Sequence, residues 1–338
     1  MINIIFCNNQ NRFILQNSNF IYEYKVGLAF LELIKINNYI IPYGISSVDK
    51  SPQIVYKKIF SEYNERTRVG YNTFSKNKKN IYNTINENNV VLDSCYIGYG
   101  YNDIYGVLDT TGTSSGLDSE TLIRKSLYEL LEKNELLLFW YRNLGKAVQN
   151  TEYVQNIIKK IGFMSENIYI FFSSNISNAN CFIVIICENE KVVSCGISMD
   201  MNINDSLTNA LLEAKLFEKI YMKNKSSPYE KIPLDDSVNN YKYINYLYAS
   251  LEKIIINDDF IFKNECEDLK LADWINDISF SVLNNNKYQK SLTVRCLSKD
   301  LLGCLPLKYN ISKMKGKKIL EVYNIFEWLD KAPECYFY

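Results

Sequence analysis

Ser61-Glu62-Tyr63-Asn64-Glu65-Arg66 and, further along, Glu129-Leu130-Leu131-Glu132-Lys133 decide the fold, because one Glu-x-x-Glu-cation arrangement occurs twice, each time inside an apolar helical pattern. Residues three apart on a helix have β-carbons roughly 5–6 Å apart, so each stretch sets two carboxylates on one face, near enough to share a hard cation. Magnesium takes few carboxylates, keeps part of its water and favours phosphate oxygens, so two such helices can hold a magnesium-triphosphate between them. An isolated Glu-x-x-Glu is common on solvated helix surfaces. The second pair differs in setting. It is embedded in the apolar run 127–140 and follows Thr110-Thr111-Gly112-Thr113-Ser114-Ser115-Gly116. That segment reads as a tight loop able to offer backbone N–H groups and hydroxyls to a phosphate at a helix N-terminus. It is not a Walker A loop, since the Gly-Lys-Ser/Thr ending is absent.

Outward from these stretches, Ser51-Pro52 supplies an N-cap with proline at the first helical position. Ile54, Val55, Ile59 and Tyr63 then recur at helical spacing to about residue 68. The Asn- and Lys-rich stretch 75–89 reads as a loop or insertion, and 90–96 as a strand. Asp118 or Ser119 caps a helix carrying Leu122, Ile123, Leu127, Leu130, Leu131, Leu136 and Leu137 and ending near Arg142. A weaker helix is expected over 151–161 and strands over 168–172, 181–186 and 192–199. Asp205 or Ser206 would cap a helix reaching about residue 222, followed by a helix over 241–256, a strand over 291–297 and a last helix over 318–329. The first fifty residues give no readable motif. With no solenoid repeat or low-complexity linker, the expectation is one α+β unit over 1–338, with helices packed on mixed sheets. Its chemistry would lie in 51–222, flanked by 1–50 and 223–338.

Composition narrows the functions. The 338 residues include 38 basic and 38 acidic ones, for zero net charge, so no long-range attraction favours nucleic acid as a partner. Hydrophobic residues at 47% and charged ones at 22% describe a globular chain. No run of about 18 apolar residues occurs. The apolar start lacks the basic region and cleavage pattern of a signal peptide, so a cytoplasmic protein away from membranes is expected. Nine scattered cysteines, odd in number and without a Cys-x-x-Cys pair, read as reduced core thiols rather than zinc ligands. Histidine is absent, which excludes imidazole acid–base catalysis, His-dependent triads and mixed Cys/His zinc sites. Chemistry is left to carboxylates, amines, phenols, hydroxyls or a bound ion.

The 61–66 stretch resembles the first motif of the YcaO family. Residues 111–116 with 129–133 and the aromatic Phe139-Trp140-Tyr141 resemble its second, in the same order and spacing. Ala210-Leu211-Leu212-Glu213 is similar to the family's later nucleotide-site helix, with Glu218 and Tyr221 as a second possible alignment. The resemblance covers about 54–222. It implies a YcaO-like fold, with ATP and Mg2+ as cofactors held between the two glutamate-bearing helices. Glu62, Glu65, Glu129 and Glu132 would hold the metal, and Arg66, Thr111, Ser115, Gly116, Lys133 and Glu213 would contact the nucleotide. Arg66 has the alternative of simply pairing with a neighbouring glutamate.

The activity implied is ATP-dependent cyclodehydration of Cys, Ser or Thr in a ribosomally made precursor peptide, giving azolines. The side chain attacks the preceding carbonyl, the oxyanion takes the γ-phosphoryl, and phosphate leaves. The implied partners are the precursor peptide, a leader-binding subunit and a flavin-dependent dehydrogenase, in a homodimer or hetero-oligomer. The C-terminal carboxylate of Tyr338 is a candidate base. A non-catalytic scaffold or peptide-binding subunit, and an enzyme forming a thioamide or amidine, are the alternatives. The sequence departs from the family pattern at Lys58, where a small residue is expected, at Lys133, where arginine is usual, and at Leu216, where glutamine is expected. Its end, Ala332-Pro333-Glu334-Cys335-Tyr336-Phe337-Tyr338, has a single proline.

Overall fold

The computed structural model describes residues 14–16, 24–30, 35–36, 39–40, 44–224, 234–264, 268–284 and 291–335, and the structural statements below concern those residues. Three sheets are tied together by long helices. The first is an antiparallel meander in the order β1 (Ile14–Gln16), β2 (Lys25–Phe30), β5 (Gly44–Asp49), accompanied by a small hairpin of β3 (Lys35–Ile36) and β4 (Tyr39–Ile40). Helix α1 (Pro52–Phe74) packs on it through Val55, Ile59 and Tyr63.

The second sheet is antiparallel throughout, in the order β10 (Thr113–Gly116), β17 (Leu292–Leu297), β16 (Ser279–Val282), β6 (Lys78–Asn83), β7 (Asn88–Asp93). A hairpin of β8 (Gly100–Asn102) and β9 (Gly106–Leu108) precedes β10. The third runs β14 (Lys191–Asp200), β13 (Asn180–Glu188), β12 (Asn167–Ser173), β11 (Lys146–Val148), β15 (Lys253–Ile254). Only its β11–β15 pair is parallel, which makes the sheet mixed.

Helix α2 (Ser119–Arg142) joins the last two sheets. Asp118 caps it by accepting the Thr121 N–H at 2.9 Å, and Asn143 closes it in the left-handed conformation at φ 55°. Its buried Leu130, Leu131, Leu137, Phe139 and Trp140 share a core with Phe171, Cys181, Ile183 and Ile185 of the third sheet. The opposite face of that sheet, with Ile170, Phe182, Val184 and Ile186, is covered by α3 (Glu152–Ile161) and α4 (Ile203–Asn224). With both faces buried, β13 reads as a continuous apolar run, and each fully buried Leu, Ile or Phe contributes roughly 1.5–3 kcal/mol. The α4 helix lies close against β14 because Gly196 has no side chain, and a Cβ there would stand 2.1 Å from Ala210 O and 2.3 Å from Ala214 N.

Several sequence expectations need correction. Residues 75–89 are no loop, for they form most of the β6–β7 hairpin. Alternation is present, but polar residues carry it: Lys79, Ile81 and Asn83 point inward, and the buried Lys79 Nζ donates to Asn284 O at 2.7 Å and Leu283 O at 3.1 Å. Ser51 does precede α1, yet its hydroxyl donates to Gln53 Oε1 (2.7 Å) rather than capping an amide. Asn202, not Asp205 or Ser206, caps α4, accepting the Asp205 N–H at 3.0 Å. The helix expected over 241–256 is α5 (Leu234–Ser250), followed by β15, and the last helix shortens to Lys318–Val322 with a 3-10 turn at Ile325–Glu327. Cys181, Cys187, Cys195, Cys296 and Cys304 are buried free thiols, as the spacing suggested.

Candidate active site

Two sheet edges organise the site. Strands β10 and β14 each end their sheet, and an edge strand leaves alternate N–H groups without a ladder partner. Four of these amides are taken by glutamates. Thr113 N–H donates to Glu129 Oε2 (3.0 Å) and Ser115 N–H to Glu65 Oε1 (2.7 Å). Ile197 N–H donates to Glu213 Oε2 (2.6 Å) and Met199 N–H to Glu132 Oε1 (2.7 Å). Helices α1 and α2 thus share β10, and α2 and α4 share β14. The three-residue spacing of Glu129 and Glu132 lets α2 reach both edges. Among the described residues the second oxygen of each anchored carboxylate accepts no hydrogen bond. Glu62 instead pairs with Arg66, whose guanidinium also donates to Gly44 O.

Glu62, Glu65, Glu129, Glu132 and Glu213 form a closed ring of electrostatic neighbours. Each is enclosed by protein yet keeps part of its surface at solvent, the disposition of a cleft wall rather than a core. Burial, then the neighbouring Glu62, pushes the Glu65 carboxyl up to about 8. Burial does the same for Glu132, with Glu213 adding to it, again to about 8. Burial and Glu65 raise Glu129 well above the carboxylate range. Glu62 and Glu213 are raised by burial against the opposing pull of Arg66 and Lys133. Burial disfavours the charge on Lys133, but Glu213, Glu132, Glu129 and Asp109 outweigh it and hold the ammonium above its ordinary range. Among the described residues Lys133 makes no direct ion pair, and Glu213, Glu132 and Glu129 are its strongest electrostatic neighbours.

This arrangement is short of positive charge. A hard divalent cation bound with a polyphosphate would reverse the pressure toward neutral carboxyls. Among the described residues no three acidic or sulfur side chains converge closely enough to hold a metal alone. The donors in the ring are carboxylate oxygens, the hard ligands that magnesium takes one or two at a time with water and phosphate completing its shell, so the donor set fits.

The structure brings together Glu62, Glu65, Glu129, Glu132, Lys133 and Glu213 from three helices, and Arg66 takes the pairing role foreseen as its alternative. It also separates Glu213 from Glu218. The latter is fully buried, ion-paired to Lys215 at 2.7 Å and capping the Ser165 N–H at 2.8 Å, a structural group away from the cleft. The loop expected over 110–116 is corrected to a turn followed by β10. Gly112 makes that turn at φ +77°, where a Cβ would meet Cys296 O at 2.6 Å. Thr111 and Ser115 act through the protein: the Thr111 amide donates to Asp109 Oδ1 (2.6 Å), and Ser115 engages its amide with Glu65 and its hydroxyl with Thr293. Gly116 ends β10 against Leu122. Tyr338 lies outside the described residues.

Sequence reasoning missed Asp109 and Arg295. Asp109 accepts the Leu305 N–H at 2.8 Å as well as that of Thr111 and is an electrostatic neighbour of Glu129 and Lys133. Arg295, wholly buried, holds its backbone carbonyl. Asp109 follows β9 and Arg295 lies on β17, far apart in sequence, and the hint was the position of Asp109 just before the Thr- and Ser-rich segment. A cavity of about 410 Å³ lined by Ser174, Asn178, Asn180 and Lys270 shares no residue with the carboxylate ring.

No protein-family model matches the sequence, and no curated protein is similar to it. Solved structures do match. YcaO from Methanopyrus kandleri bound with AMPPCP and Mg2+ superposes with a TM-score of 0.64 at 10% identity, over 86% of each chain. A heterocyclase in complex with substrate and cofactor gives 0.62 at 12% identity, over 96% of this chain and 53% of that one. The E. coli microcin synthetase McbBCD complex with pro-MccB17 bound gives 0.58 at 11% identity, over 86% of this chain and 88% of the matched one. The chain has the α+β fold of YcaO domains and heterocyclases. At these identities the likeness is one of fold and does not single out one subunit of the synthetase. Among the described residues no helix is long and apolar enough to cross a membrane.

Proposed function

We propose that this chain is an ATP- and magnesium-dependent enzyme that activates backbone amides of a ribosomally made precursor peptide and cyclodehydrates its Cys, Ser or Thr residues to azolines. The observation that carries this reading is the carboxylate ring: Glu65, Glu129, Glu132 and Glu213 are each pinned by one oxygen to a sheet-edge amide and present the other to a shared cleft. Bound there, a magnesium-nucleotide supplies the phosphoryl group that turns an amide oxygen into a leaving group. Glu62, Glu65, Glu129 and Glu132 would hold magnesium one or two at a time, with phosphate and water completing the shell. Lys133 offsets phosphate charge from the α2 side, and Arg66 keeps Glu62 in place. The edge-strand anchors fix all these groups before ligand arrives, which is the preorganisation that positioning and charge stabilisation require. Overall, the peptide loses the elements of one water per ring, the amide oxygen departing in the phosphate as ATP goes to ADP.

The fold shared with the McbBCD synthetase chain supports work within a multisubunit complex, with leader recognition and any flavin-dependent oxidation supplied by other chains. Calorimetry with magnesium and ATP tests the site: wild type binds, and Glu129→Gln and Glu132→Gln do not. Retained binding in both variants overturns it. Mass spectrometry of the peptide product then separates ring formation, which loses water, from sulfur exchange, which gains mass.

A further inference from the structure

At one end of the third sheet, where β12 stops and β13 begins, lies the cavity of about 410 Å³. Its lining includes Ser174, Asn178, Asn180, Lys270 and, from α6 (Asp258–Asn264), Lys263 and Asn264, and no acidic residue. The walls are set by the protein itself. Glu135 of α2 accepts the Asn175 and Ile176 amides at 2.6 and 2.8 Å. Residues 176–178 pair antiparallel with 270–272, through Ala272 N–H to Ile176 O (2.9 Å) and Asn178 N–H to Lys270 O (3.1 Å). Two features point to a ligand. Asn180 is 1% exposed, and its Nδ2 donates to Met201 O at 2.8 Å and to Asn264 O at 3.2 Å. Those two carbonyls fix which side-chain atom is nitrogen, so Oδ1 is a fixed acceptor. Among the described residues nothing donates to it. Lys263 and Lys270 are exposed, and neither forms an ion pair among the described residues. The cavity thus offers an acceptor to an N–H and two cations to a carboxylate, the groups that an acidic residue of a peptide carries together.

The fold sets this cavity beside the carboxylate ring. Glu132 is fixed to the Met199 amide, one residue from the end of β14, and Asn180 stands opposite Asp200, where β14 ends. Strands β14 and β12 are two strand spacings apart, roughly 10 Å, a distance that an extended chain crosses in about three residues. Resting on the peptide-modifying reading above, we infer that the cavity is a substrate subsite for an acidic residue of the peptide, about three positions from the residue being cyclised. Its carboxylate lies between Lys263 and Lys270, and a backbone N–H donates to Asn180 Oδ1. The subsite holds the chain in register, so that one residue at a time reaches the ring of glutamates.

The test is fluorescence anisotropy on the full chain without nucleotide, using dye-labelled, end-capped heptapeptides. Each has a central Cys, Gly spacers, and either Asp or Asn at both outer positions. Wild type should bind the Asp peptide about three- to tenfold more tightly than the Asn peptide, as two exposed contacts between ammonium and carboxylate allow. Lys263→Gln/Lys270→Gln, changed at exposed positions, should bind the two peptides equally, with the Asn peptide held as in wild type. Lys159→Gln/Lys160→Gln removes the same charge from exposed positions on α3, outside the cavity, and should keep the preference. Equal binding of both peptides by wild type, binding of neither, a preference that survives the loss of Lys263 and Lys270, or one abolished as well by the α3 changes, overturns the inference. So does displacement of the Asp peptide by succinate at the peptide's own affinity, which assigns the cavity to small dicarboxylates. Because nucleotide is left out, the enzyme reading fails separately: an Asp preference in a chain that binds no magnesium-ATP keeps the subsite and leaves a peptide-binding subunit.

Discussion

Replacing Glu65 by glutamine should make the nucleotide-free protein more stable while destroying its capacity for magnesium-ATP. Glutamine keeps an oxygen to accept the Ser115 N–H, which Glu65 takes at 2.7 Å, and removes the charge. In the native protein burial and Glu62 raise the Glu65 carboxyl from 4.5 to about 8. A carboxyl raised on folding favours the native state only while protonated, so its contribution is complete below about pH 4.5 and is lost as pH climbs toward 8. At 1.36 kcal/mol per pH unit, wild type at pH 7 gives up about 3 kcal/mol relative to acid conditions, and solvent entering the cleft reduces this to about 2–3. Urea unfolding in chelator at pH 5, 7 and 8.5 measures it. The two proteins should converge at pH 5 and separate in favour of Glu65→Gln as pH rises, with magnesium-ATP rescuing only wild type. A variant less stable than wild type at pH 8.5, or an advantage independent of pH, refutes the electrostatic account of the ring.

Gly196→Ala should force α4 away from β14, since its Cβ would meet Ala210 O at 2.1 Å; a loss of about 1–3 kcal/mol in urea unfolding, with weakened ATP binding through displaced Glu213, is expected. Lys215→Met leaves the buried Glu218 without its ion-pair partner and should cost about 3–5 kcal/mol, only partly recovered by the further change Glu218→Leu, which leaves the Ser165 N–H without its acceptor. Folded Lys215→Met/Glu218→Leu protein should bind ATP as wild type does, whereas Glu213→Gln should not, a contrast calorimetry can read. Lys133→Arg should retain ATP binding and Lys133→Gln should lose about tenfold or more, as expected of a cation facing phosphate.

The helices that carry the glutamates were legible because their apolar residues repeat at helical spacing, and the sheet of β12 to β14 because its strands are buried runs. The hairpin of β6 and β7 was hidden by its composition, since Lys79 and Asn83 occupy inward positions that sequence patterning assigns to apolar residues. The glutamates that α1 and α2 bring to the ring could be named from spacing, and Glu213 of α4 from the family resemblance, but not what holds them. Thr113, Ser115, Ile197 and Met199 act through backbone amides, which leave no mark on residue identity. Asp109 follows β9 and Arg295 lies on β17, and only the folded chain brings them together.

The strand that seats Glu65 and Glu129 is itself held by a distant one: β10 pairs with β17, placing Thr113 opposite Arg295. Such a pairing closes a very long loop, and contacts of that kind form slowly. Glu132 and Glu213, in contrast, depend on β14, α2 and α4, which all lie before residue 225. This topology predicts assembly of the ring in two stages, an early half and a late half that waits for nearly the whole polypeptide. Nucleotide affinity gained during refolding should then lag behind the burial of the third sheet, so that ligand binding times the arrival of β17 rather than the collapse of the core.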